Sequence, residues 1–373
     1  MTAGSEDMMQ DTLRLSRVLD SYPAAFRGNP LHLLGLEDAT PILNGVEYLK
    51  SLNGPGLVDE RREYCVDDAV EWPFPPCYLG GRPDPYSLSL RLFDAFELAR
   101  RVLVTQSDVA HIVERRASLA RADTVVVVIV DGLSYYDLPI ESDAQPCLVD
   151  GVTTTAHGYR AILGEPSLSR RLFARGYAQQ VAYTYYTLEA GGLTADLHDT
   201  FAPAQVERVR SFDEILAAIE KLPPGRTYVQ VTLTGLDQLC HAHHDLPPII
   251  HYRELVLSRF HALIDTLASP GRRVLGVLCA DHGILWRSDI EGSLQLIEDL
   301  HGDDAHWPRY ARGSFRRPYG LNVRTYDQNY TLFAVPYMTR PFRNNEWGVH
   351  GGISAWESIV PLIIREVASD ASR

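Results

Sequence analysis

The chain lacks any apolar run near the roughly 20 residues a membrane-spanning helix requires. Its longest run, residues 125–130, is closed at once by Asp131, so no membrane partner is expected. An apolar signal core is also missing. The first residues, Met1-Thr2-Ala3-Gly4-Ser5-Glu6-Asp7, are acidic, which leads to the expectation of a cytoplasmic protein. Cysteine is scarce: Cys65, Cys77, Cys147, Cys240 and Cys279 form no C-x-x-C pair. An odd count at wide spacing excludes a disulfide framework and favours reduced thiols. Positive charge is short as well, with 35 Lys and Arg against 48 Asp and Glu and a net charge of -13. Broad nucleic-acid binding needs a cationic surface and is not expected. A phosphorylated substrate is not excluded, because bound dications would reverse the local sign.

What is present divides near residue 120. Residues 1–120 read as a mainly helical and loop-rich region. Leu13, Leu15, Val18 and Leu19 form a short helical stripe, and Trp72-Pro73-Phe74-Pro75-Pro76 with Gly80-Gly81 reads as loop. Helical patterning returns at 87–104, and Ser107 is the expected cap of a second run through Val109, Ile112 and Val113. No catalytic grouping occurs in this region; docking, homodimer formation and shielding of substrate are all open roles for it. From residue 121 to 373 apolar strands alternate with helices, the pattern of a parallel sheet. Ser211 and Glu214 form a capping box for a helix at 212–221, and Pro247-Pro248 opens another. An insertion at about 284–345 carries an Arg-rich segment, Arg309 to Arg317, and a strand-like run at 330–335. Part of it is expected in the sheet. The rest is expected to shield the site, its Arg side chains meeting an anionic substrate.

Three strands end on ligand-type residues. Residues 124–130 lead into Asp131-Gly132, residues 228–233 into Asp237 and His241, and residues 274–278 into Asp281-His282-Gly283; His350-Gly351-Gly352 follows near the end. Ligands of open α/β sheets bind beyond the carboxyl ends of parallel strands. Carboxylate oxygen and imidazole nitrogen take divalent cations. The pattern therefore predicts a two-metal site, and such sites act on phosphate-like esters. Zn²⁺ is the expected pair, because His-rich mixed N/O sites suit it, with Mn²⁺ as the alternative. Cys240 is expected to pack rather than ligate, and His243 and His244 are alternatives to His241.

Asp131-Gly132, the Asp-x-x-x-His at 237–241, Asp281-His282-Gly283 and the late His350 together resemble the alkaline-phosphatase superfamily over about residues 121–365. The resemblance implies an α/β fold with a mostly parallel central sheet and helices on both faces. It assigns Asp237, His241 and His350 to one metal and Asp131, Asp281 and His282 to the other. It places a Thr nucleophile at the start of the helix after Thr153: counting back from Gly164 gives Thr154, with Thr155 as the alternative. Arg160, His157 and Tyr135 lie near in sequence and are the candidate substrate contacts, with packing or surface roles as their alternative. The ending from His350 through Ser354, Glu357 and Val360-Pro361 resembles the PglZ-type branch of phage-defence systems. No C/S-x-P-x-R signature occurs, so sulfatase activity is not expected. The implied function is hydrolysis of a phosphate mono- or diester through a phospho-threonine, on a phosphorylated small-molecule or nucleotide-like substrate. A phosphomutase of the same fold and a non-catalytic scaffold subunit of a defence complex are the alternatives.

Overall fold

The computed structural model describes residues 85–102, 104–139, 142–184, 206–209, 212–222, 225–242, 249–268, 271–290, 292–297 and 307–368. The expected stripe at 13–19 and the Trp72 loop lie outside them. In chain order the strands are Thr124–Asp131 (β1), Gln145–Leu148 (β2), Gln179–Thr184 (β3), Val206–Val209 (β4), Thr227–Thr234 (β5), Arg273–Ala280 (β6), Leu285–Trp286 (β7), Gln295–Leu296 (β8), Tyr310–Arg312 (β9), Gly320–Thr325 (β10), Gln328–Phe333 (β11), Tyr337–Met338 (β12), Gly348–Val349 (β13) and Ile359–Ala368 (β14). The helices are Pro85–Val102 (α1), Gln106–Leu119 (α2), Thr155–Leu163 (α3), Leu168–Ala174 (α4), Ile215–Lys221 (α5), Asp237–Ala242 (α6), Ile249–Ala268 (α7), Arg287–Ile290 (α8) and Ala355–Ser358 (α9).

Every residue of β1 is buried. Successive strand residues point to opposite faces, so both faces of the sheet are covered here, which is what an unbroken Val/Ile run requires. The main sheet has the order β2-β14-β6-β1-β5-β3-β4. Its pairs β1/β5, β1/β6, β3/β5 and β3/β4 are parallel, and β14 runs antiparallel to β6 and β2. The fold is thus α/β with a mostly parallel sheet, against which α7 packs along β6, β1 and β14, and α2 along β6. The register pairs Asp131 with Thr234 and Val130 with Ala280. The three central strands therefore finish level, and the residues after each emerge at one end of the sheet.

Several expectations are refined. α2 is capped by Thr105, not Ser107: the Asp108 carboxylate accepts from the Thr105 N–H at 2.8 Å and its hydroxyl at 3.2 Å. Ser107 sits exposed in the first turn. The run at 330–335 does not join the main sheet; its residues Tyr330 to Phe333 end β11, the middle strand of an antiparallel sheet β10-β11-β9. Arg309 does not face an anionic substrate. It is fully buried and bonded to the buried carboxylate of Glu357. The described helices of the 1–120 region pack on the rest of the chain, α1 against α9 and α2 against α3, α4 and β6.

Candidate metal centre

The chain turns away from β1 at Gly132, whose φ of +73° is left-handed; a Cβ there would stand 2.9 Å from Asp237. That close approach brings the start of α6 beside the end of β1, sealed by Leu236 N–H donating to the Gly132 carbonyl at 2.7 Å. Asp237 is the first residue of α6. Asp281 and His282 follow the last residue of β6, where the alternation of a regular strand no longer separates them. Asp281 Oδ1 accepts from Gly132 N–H at 3.0 Å and from His282 N–H at 2.8 Å.

Both imidazoles are oriented by main-chain carbonyls. His282 Nδ1 lies 3.1 Å from the Gly283 carbonyl and His350 Nδ1 3.0 Å from that of Thr153. A carbonyl can only accept, so each Nδ1 carries a proton and each Nε2 points the other way, where it would ligate a cation once deprotonated. His282 Nε2 is 3.6 Å from Asp131 Oδ1 and 3.8 Å from Asp281 Oδ1; His350 Nε2 is 3.3 Å from Asp237 Oδ1. The two rings stack at 4.0 Å. Asp131, Asp281 and His282 form one trio and Asp237, His282 and His350 a second, with ligand atoms within 4.8 Å of one another in each.

Burial raises the Asp281 carboxyl above its ordinary range; His282 opposes this, while Asp131 and Asp237 add to it. Burial acts to lower the His282 imidazole, but Asp281, Asp131 and Asp237 outweigh it and hold the ring well above its usual value. Three carboxylates around one buried imidazole are short of positive charge. A divalent cation would supply that charge: Asp131, Asp281 and His282 offer three donors for one ion, and Asp237 with His350 offers two for a second, since the single inward Nε2 of His282 serves one ion only. The side chain of His241, the remaining expected ligand, lies outside the described residues. Cys240 is buried and donates to the Leu236 carbonyl at 3.2 Å, and burial pushes its thiol far up, a packing role.

Of the three consecutive threonines, Thr155 faces the trios. Its hydroxyl is 3.3 Å from Asp131 Oδ1 and 3.2 Å from His282 Nε2, at the first residue of α3. The Thr154 hydroxyl instead meets His157 Nδ1 at 2.7 Å. Thr153, given no role by the sequence reading, braces the His350 loop: it donates to the Gly352 carbonyl at 2.8 Å and accepts from Gly351 N–H at 2.9 Å. A run of three hydroxyls where one cap suffices was the available signal. His157 also reaches Tyr330 Oη at 3.2 Å, and burial, then Arg160 and Arg312, lower its pKa to about 4, so it is neutral at physiological pH. Arg160 pairs with Glu165 and lies 3.8 Å over the Tyr326 ring, toward the β10–β11 turn. Tyr135 is buried in the short 3-10 turn after β1, edge-on to Tyr136.

No protein-family model and no curated protein matches the chain. Among solved structures, the chain is similar to the zinc complex of the C-terminal periplasmic domain of EptC from Escherichia coli, with 13% identity over 44% of this chain and 64% of that one and a TM-score of 0.30. It is similar to human ectonucleotide pyrophosphatase/phosphodiesterase 5, with 11% identity, 65% and 87% covered and a TM-score of 0.42. A protein in the alkaline phosphatase superfamily from Vibrio parahaemolyticus gives 9% identity, 59% and 62% covered and a TM-score of 0.32. The chain spans just under two thirds of the length of the first and the third of these. Among the described residues no helix is long and apolar enough to cross a membrane.

Proposed function

We propose that this chain is a metal-dependent phosphoesterase of the alkaline-phosphatase type, in which Thr155 is the nucleophile. One observation carries the reading: the Thr155 hydroxyl, at the start of α3, is within hydrogen-bond distance of both Asp131 and His282. Asp131, Asp281 and His282 would hold one divalent ion. Asp237 and His350, with His241 of the same helical turn as Asp237, would hold the other. When bound, the ions would lower the pKa of the hydroxyl and offset the charge of a phosphate ester. Zn²⁺ suits the donor set, with Mn²⁺ next.

The residues of the chain do the rest. Free N–H groups of the first turn of α3 and the helix dipole favour an anion at Thr155. Thr155 Oγ attacks phosphorus; the Oγ–P bond forms as the P–O bond to the leaving alcohol breaks, and the hydroxyl proton ends on that alcohol. Water then cleaves the phospho-threonine and restores the hydroxyl. Neutral His157 and Thr154 hold each other beside the nucleophile and supply hydrogen bonds rather than charge. A phosphorylated small-molecule or nucleotide-like substrate, the cytoplasmic setting and the PglZ-type branch belong to the same proposal; the last is supported by the His350-Gly351-Gly352 and Ser354…Glu357 pattern.

The test compares Thr155→Ala and Thr154→Ala on a panel of aryl phosphate mono- and diesters, with elemental analysis alongside. Thr155→Ala is expected to keep its metal and lose turnover by orders of magnitude, because the covalent step is gone. Thr154→Ala removes only the contact with His157 and is expected to stay within about tenfold of wild type. Undiminished turnover in Thr155→Ala would remove the covalent mechanism. Bound metal with no turnover by wild type on any ester would favour a non-catalytic scaffold instead.

A further inference from the structure

We propose that Gln106 is a positioning residue that sets the Asp281-His282 pair against the nucleophile helix, so that the N-terminal part of the chain builds the metal centre without ligating it. This rests on the metal-centre reading above and assigns a role to a residue outside the ligand set.

The pairing of β6 with β14 reaches no further than Cys279 opposite Leu362. Beyond it, the buried carbonyls of Ala280 and Asp281 are no longer paired with β14, and buried carbonyls need donors. Gln106 supplies both: its Nε2 donates to Ala280 O at 2.7 Å and to Asp281 O at 2.8 Å. Two carbonyl acceptors leave the amide one orientation, because the flipped group would set oxygen against oxygen. The same Asp281 carbonyl is pressed on the backbone of α3, where a Cβ on Gly158 would stand 1.8 Å from it. One oxygen is therefore held between the Gln106 amide and the helix that carries Thr155, one residue from His282.

Gln106 is itself held in place. It is fully buried at the first position of α2, behind the Thr105–Asp108 cap and the bridge from Thr105 to Leu148 at the end of β2. Its Oε1 is buried with no hydrogen-bond partner among the described residues. An orphaned buried oxygen is unfavourable, and a Met of the same length would fill the space without one. Packing therefore does not account for glutamine here; the two donated bonds do.

The test titrates metal-depleted full-length protein with Co²⁺ alone and reads its visible absorption, for wild type, Gln106→Met, Gln106→Glu and Val109→Ala. Val109 is a fully buried residue of the same helix, so its truncation reports loss of packing only. Partners that orient ligands typically govern metal affinity by about 10–100-fold. Gln106→Met is expected to bind Co²⁺ weaker by about that factor with a shifted spectrum. Gln106→Glu, which has the shape but no donor when ionised, is expected to be at least as weak. Val109→Ala is expected to be less stable yet to bind like wild type. In turnover, Gln106→Met is expected to lower kcat with little change in KM. Wild-type Co²⁺ affinity and spectrum in both Gln106 variants, or an equal loss in Val109→Ala, would overturn the role. A wild type that takes up no Co²⁺ would overturn the metal centre and this role with it. A wild type inert on all esters, with Gln106 variants still weak for Co²⁺, would support the positioning role and reject only the phosphoesterase reading.

Discussion

The guanidinium of Arg309 and the carboxylate of Glu357 meet with no solvent exposure, Nε to Oε1 at 3.1 Å and Nη2 to Oε2 at 2.8 Å. The same carboxylate accepts from Gly352 N–H at 2.9 Å and from the Ser354 hydroxyl at 2.7 Å. The pair thus ties the inserted segment to the loop that carries His350. Removing one member of a buried pair leaves a charge that nothing balances. Arg309→Met is therefore expected to cost about 3–5 kcal/mol, read by urea unfolding. Replacing Glu357 by Leu as well removes the stranded charge and should restore part of it. A loss under about 1 kcal/mol in the single variant would contradict the burial of the pair.

Metal content gives a second expectation. Wild type should carry about two divalent ions per chain, one on Asp131, Asp281 and His282 and one on Asp237, His350 and His241. Asp281→Ala and Asp237→Ala should each lower the count. An ion that binds the folded centre and not the unfolded chain should, free at 100 times its Kd, stabilise the depleted protein by about 2.7 kcal/mol. Wild-type counts in both variants, with no thermal shift on adding Zn²⁺, would remove the assignment.

Gly158 offers a steric test. The Cβ of Gly158→Ala would fall 1.8 Å from the Asp281 carbonyl, so α3 or the ligand strand must move. Overpacking of this kind costs about 1–3 kcal/mol. An ångström of displacement at Thr155 should lower turnover by about 100-fold. Full activity in Gly158→Ala would show that the helix has slack the close contact denies.

The fourth expectation concerns pH. Burial pushes the Asp137 carboxyl up to about 6, against hydrogen bonds from Ser134 N–H and Trp286 that lower it. Its folded value lies above its unfolded one, so between roughly pH 4 and 6 the native state holds more protons. Stability from this group therefore falls as pH rises through that window and is flat above it. The stability difference between wild type and Asp137→Asn, measured by urea unfolding from pH 4 to 8, should decline with rising pH and level off near 7. A difference independent of pH would show that the carboxyl is not raised.

The central strands and the end of the sheet that bears the site were legible along the chain. Val125 to Val130 is apolar on both faces, and such a strand is stable only between two layers. A carboxylate placed just after it can go only to the carboxyl edge, where β5 and β6 end in register at Thr234 and Ala280, shortly before Asp237 and Asp281-His282. β14 was not legible, because an antiparallel last strand has no local mark that distinguishes it from the parallel ones beside it. Which of Thr154 and Thr155 turns its hydroxyl to Asp131 and His282 was not legible either. Neighbouring helix residues differ by about 100° in direction, and how α3 is rolled depends on Gly158 meeting the Asp281 carbonyl 123 positions away. Arg309 read as a cation that would meet an anionic substrate, since its partner Glu357 stands 48 residues on. Gln106 carried no signal at all: an amide gains its role from two carbonyls that reach it only through the packing of α2 on β6. Local pattern encodes which faces are apolar and where the chain turns; the direction of a single side chain is set by contacts between segments far apart in sequence.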